Sequence, residues 1–76
     1  MNDSLAAWAV RLSVQIGGRA AQIHDATARD AIFADAHDGL VQDLLVHGHH
    51  IQESTAIADD IIDGARKVVA DLTAYA

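Results

Sequence analysis

From Ile16 to the end of the chain, apolar and small residues recur at intervals of seven in three adjacent series. One runs Ile16, Ile23, Asp30, His37, Leu44, Ile51, Ala58, Ala65, Leu72. The series three residues later runs Arg19, Ala26, Phe33, Leu40, His47, Ser54, Ile61, Val68, Tyr75, and the next includes Val41, Ile62 and Val69. On a helix these positions share one broad stripe, wide enough for a bundle rather than a narrow two-stranded zipper. No proline interrupts it, and the only aromatic residues are Trp8, Phe33 and Tyr75, which suits long helices better than a sandwich or barrel. The expected fold class is all-α: a short N-terminal helix followed by a long antiparallel helical hairpin, assembling into an oligomeric helical bundle.

A single helix over residues 19–75 would be about 85 Å long and would collect His47, Gly48, Ser54 and Thr55 in the middle of its apolar stripe. A turn near Gly48 avoids that poor core and leaves two arms of similar length. The chain therefore reads as one domain, 1–76, with a short helix over 4–16, a helix over 19–47 with a possible break at 38–39, and a helix over 51–75. The break would use Asp38 as a cap and Gly39 as a permissive turn residue. Gly17 and Gly18 are expected to end the first segment.

That first segment carries two periods at once. Leu5, Trp8, Leu12 and Ile16 have helical spacing, whereas Val10, Leu12, Val14 and Ile16 alternate with Arg11, Ser13 and Gln15 as in a half-buried strand. Helix is the expectation and strand the alternative for residues 8–16. In the strand form, a short strand followed by two helices resembles the ribbon-helix-helix DNA-binding dimers, and the resemblance implies that Arg11, Ser13 and Gln15 would face the major groove. The acidic balance and the lack of basic residues flanking the strand depart from that family's pattern.

The stretch LLVHGHHIQE places three histidines around Gly48. On a continuous helix Asp43, His47 and His50 would lie within roughly 60° of one another, a set that could hold zinc, nickel or iron. A second reading is a charge switch, because only His37, His47, His49 and His50 can become positive between Asp30 and Ala65. The simplest is a polar connection in which Gly48 supplies the permissive backbone and Ser54 or Thr55 caps the next helix. That connection is the expectation; no resident cofactor is expected.

Asp30 and His37 fall on the apolar stripe and need partners, which suggests a polar layer fixing register or a stretch at the bundle edge. Formal net charge is −6, and the window from Asp30 to Ala65 holds eight acids (Asp30, Asp35, Asp38, Asp43, Glu53, Asp59, Asp60, Asp63) with no lysine or arginine. Such a surface repels phosphate backbones, so direct nucleic-acid binding is not expected. There is no cysteine, and neither a serine triad nor a glycine-rich phosphate loop can be assembled, so an enzyme is not expected. The opening MNDSLAAWAV lacks the basic start of a signal peptide, and a cytoplasmic chain without membrane contact is the expectation. Of the apolar residues, sixteen are alanine, which bury little each; extra core is expected from self-association as a dimer or tetramer through Phe33, Leu40, Leu44, Ile51, Ile61, Val68 and Leu72. The function expected is a non-enzymatic protein–protein interaction module, an acidic adaptor, inhibitor or antitoxin-like neutraliser. Asp59, Asp60, Asp63 and Trp8 are its candidate contacts with a partner that has a basic surface.

Overall fold

In the computed structural model, which describes residues 2–74, three helices follow one another: α1 (Asn2–Ala21), α2 (Ala26–Val46) and α3 (Ile51–Ala74). They pack as a helical bundle with the hairpin formed by α2 and α3. His37 of α2 faces Asp59 while Asp30, a turn or two earlier, faces Arg66, so α2 and α3 run antiparallel. Along α1, Ser13 meets Ile61 and Gly17 meets Ala65 and Val68, so α1 runs parallel to α3. The central element is α3. It packs against both other helices, which touch each other more sparingly, and it supplies Ser54, Ala58, Ile61, Ile62, Ala65 and Val69 to the buried interior.

The two connections are built by different chemistry. After α2, the His49 N–H donates to the Leu44 carbonyl and the Gly48 N–H to the Leu45 carbonyl, each at 3.0 Å, with Gly48 at φ +92°. This is the Schellman pattern, in which a left-handed residue satisfies the last carbonyls of a helix at no steric cost only if it is glycine. HGHH is thus a turn. Between α1 and α2, the Asp25 side chain accepts from the Ala28 N–H at 3.0 Å and caps α2. Arg29 reaches back to donate from Nε and Nη2 to the Ile23 carbonyl, satisfying the connecting backbone.

Several boundaries differ from those the sequence suggests. The first helix does not stop at Gly17–Gly18 but continues to Ala21, and the second begins at Ala26 rather than residue 19. Helical glycine costs about 1 kcal/mol relative to alanine, yet here Gly17 lets α1 sit directly against α3. A Cβ at this position would lie 2.6 Å from Val68 Cβ and 2.8 Å from the Ala65 carbonyl oxygen. No break occurs at 38–39, where both residues are exposed within a continuous helix. Nor do Ser54 and Thr55 cap α3: the Ser54 N–H already donates to the His50 carbonyl at 2.8 Å, inside the helical ladder. Tyr75 lies outside the described residues.

Among the described residues there is no strand, which removes the alternative for 8–16 and with it the ribbon-helix-helix resemblance. Leu12 and Ile16 pack against the core while Val10 and Val14 stay exposed, so helical spacing prevails over the alternation. Ser13, expected to face DNA in the strand form, instead turns its hydroxyl to α3. It donates to the Ala9 carbonyl in its own helix at 2.9 Å and to the Ile61 carbonyl at 3.1 Å. Ala9, Ser13 and Gly17 recur every four residues, and this ridge of small side chains brings α1 close to Gly64 and Ala65. The interior they enclose centres on Ala20, Phe33, Leu40, Ala58, Ile61, Ile62, Ala65 and Val69.

Candidate functional site

Along the α2–α3 seam lies an open groove of about 460 Å³ whose walls include Asp30, Phe33, His37, Asp59, Asp63 and Arg66. The antiparallel register brings these residues together. Phe33 is buried as part of the core, and the Arg66 guanidinium sits 4.7 Å from its ring centroid, within cation–π range. Asp30 is 3.8 Å from the same guanidinium. Two helical turns along, His37 Nε2 donates to Asp59 at 2.7 Å, and its Nδ1 lies 3.8 Å from Asp38. Asp30 and His37 are therefore at the edge of the bundle, each paired across to α3. Exposed pairs of this kind contribute little stability but favour one axial register of the hairpin over slipped ones.

All eight acids of the 30–65 window are exposed. Four of them meet a basic side chain: Asp30 at Arg66, Asp38 and Asp59 at His37, and Glu53 at His49. Among the described residues, Asp35, Asp43, Asp60 and Asp63 have no ion pair. The candidate contact residues do not share one surface. Asp59 and Asp63 face the α2–α3 groove, whereas Asp60 lines a depression on the other side of α3 with Leu5, Ala6, Ala9 and Ile57. Trp8 is half-buried at the end of the bundle.

There the first turns of α1 meet the end of α2 and the HGHH turn, enclosing a pocket of about 290 Å³ lined by Leu5, Trp8, Asp43, Leu44, His47 and His49. His47 Nδ1 is 2.7 Å from the Asp43 carbonyl, and His49 Nδ1 is hydrogen-bonded to Glu53. The proposed metal ligands are not gathered: Asp43 and His47 line this pocket, His50 does not, and no group of three or more His, Asp or Glu among the described residues could hold a metal ion. The turn at Gly48 is the physical reason, since it ends the helix that would have aligned His50 with the other two.

Of the residues expected at an oligomer core, Phe33, Leu40, Leu44 and Ile61 are buried within the single chain. Val68 is half-buried, and Ile51 and Leu72 are about half exposed, at 51% and 52%. The sequence reading overlooked Arg66, whose pairing with Asp30 depends on hairpin register, and the Ala9–Ser13–Gly17 ridge, for which the four-residue spacing was an available signal. No helix among the described residues is long and apolar enough to cross a membrane. Compared with known proteins, the chain matches no family model, no curated protein and no solved structure.

Proposed function

We propose that this chain is a non-enzymatic protein–protein interaction module that docks exposed acids of α2 and α3 onto a basic surface of another protein, as an adaptor, inhibitor or antitoxin-like neutraliser in the cytoplasm. The observation that carries this reading is the exposure of all eight acids between Asp30 and Ala65: among the described residues four have no ion pair, three meet only a histidine, and Asp30 alone meets an arginine. A bundle needs surface charge to stay soluble, but mixed signs serve that purpose with less self-repulsion. Complementary charge chiefly raises the association rate and is screened over a Debye length of about 8 Å at physiological ionic strength. Self-association is part of the same reading and is supported by the exposed Val10 and Val14, one turn apart on α1, and by Ile51 and Leu72.

The test begins with capture of a binding protein from the native host, followed by association kinetics at low and high salt. Association should slow several-fold with salt. Reversal of Asp59, Asp60 and Asp63 to lysine should weaken binding while helicity by circular dichroism is retained. Rates indifferent to both changes would reduce the acids to a solvated face. Light scattering across the micromolar range tests the self-association; a mass of 8.0 kDa throughout would remove that part.

A further inference from the structure

We infer that the pocket at the α1/α2 end of the bundle is the anchor point of the protein partner, receiving an apolar side chain from a segment that carries a lysine or arginine beside it. The inference rests on the proposed docking function and names where on the molecule its specific contact is made. Its walls are apolar, formed by Leu5, the Trp8 indole and Leu44, while the remaining lining residues are Asp43, His47 and His49. Their chemistry is one-sided. A backbone carbonyl and a carboxylate can only accept, so the Nδ1 atoms of His47 and His49 carry the hydrogens that they donate to Asp43 and Glu53. In the neutral rings Nε2 is then an acceptor, and neither Nε2 has a partner among the described residues. Asp43 adds a carboxylate without an ion pair. The rim therefore offers acceptors and no competing lysine or arginine, which suits an ammonium or guanidinium group.

One further feature favours this end of the bundle. Leu5, one wall of the pocket, is itself exposed, and Val46 and Ile51, on either side of the HGHH turn, are exposed large apolar residues as well, Val46 at 82%. A pocket walled by a tryptophan that takes up one anchoring side chain is a setting in which interface hot spots form.

Trp8 is the sole tryptophan and reports directly on the site. The whole chain is titrated with an amphipathic leucine–lysine helical peptide and, separately, with oligolysine, following Trp8 fluorescence. The variants are Leu5→Ser and Asp43→Asn, both at exposed positions, and the triple reversal of Asp59, Asp60 and Asp63. The expected result is saturable binding of the leucine–lysine peptide with a Trp8 shift, weakened about tenfold by Leu5→Ser and several-fold by Asp43→Asn, and no Trp8 shift with oligolysine. Binding that ignores Leu5→Ser and Asp43→Asn but is lost in the triple reversal would overturn the anchor while leaving the acidic docking face standing. Binding lost in the pocket variants and kept in the triple reversal would uphold the anchor and remove the α3 face from the docking reading. A Trp8 shift produced by raising the protein concentration alone would give the pocket to a second copy. One produced by zinc chloride without peptide would give it to a metal. Either would overturn the proposal.

Discussion

Gly17 and Gly18 are neighbours in the same helix, yet adding one methyl group to each should move stability in opposite directions. Replacing a helical glycine by alanine removes backbone freedom from the unfolded chain and stabilises by about 1 kcal/mol where the new Cβ meets nothing. At Gly18 a Cβ would have no heavy atom within 4 Å, so Gly18→Ala should gain most of that amount. At Gly17 the Cβ would lie 2.6 Å from Val68 Cβ, 2.8 Å from Val68 Cγ1 and 2.8 Å from the Ala65 carbonyl oxygen. Two of these three atoms are fixed by the α3 backbone and cannot rotate away, so the overpacking cost should reach the upper part of the usual range, about 3 kcal/mol. Gly17→Ala then loses about 2 kcal/mol net, and the two variants differ by about 3 kcal/mol. For a domain of this size, where 1 kcal/mol moves Tm by about 4–8 °C, the melting temperatures should separate by about 12–24 °C. Thermal and urea unfolding followed by circular dichroism at 222 nm measure it. Val68→Ala should not rescue Gly17→Ala, because Val68 Cβ itself is the nearest obstacle. If Gly17→Ala proves as stable as Gly18→Ala, the close parallel crossing of α1 and α3 is wrong.

At Gly64 an added Cβ would lie 2.7 Å from Ser13 Oγ and 3.1 Å from Ser13 Cβ; Gly64→Ala should destabilise by about 1 kcal/mol, and a double-mutant cycle with Ser13→Ala should show coupling because the hydroxyl is the nearer atom. Ser54 is fully buried and its hydroxyl has no hydrogen-bond partner, so Ser54→Ala should raise the urea midpoint, by about 1 kcal/mol in stability, since it removes an unsatisfied polar group; a marked loss would mean that the hydroxyl is bonded in solution. Asp25→Ala removes the α2 cap and should cost about 1 kcal/mol, read as a lower Tm with an unchanged m-value. Asp30→Asn weakens a pair whose side chains are 54% and 70% exposed, and should change stability by less than about 1 kcal/mol; a larger loss would show that the seam contributes more than register.

The all-helical class and the hairpin turn were legible because each rests on local chemistry. An apolar stripe without proline favours helices whatever surrounds them, and Gly48, between two periodic arms, is the residue that can take a positive φ cheaply. The cap at Asp25 was not read from the sequence, because a helix expected from residue 19 places Asp25 inside it. What the chain alone did not decide was the meaning of its other glycines. Gly17, Gly18 and Gly39 read alike as punctuation, and none of them ends a helix; only the arrival of α3 distinguishes Gly17, where contact with Val68 and Ala65 offsets the intrinsic cost of helical glycine. The same holds for the stripe. Phe33, Leu40, Leu44 and Ile61 needed cover, and the sequence could not say whether α1 or a second subunit would supply it. The three helices of one chain bury all four, and the small residues of α1 and α3 permit an approach between those two that larger side chains would forbid. The pocket around Trp8 follows from that packing, since it exists only where the start of α1 passes the end of α2.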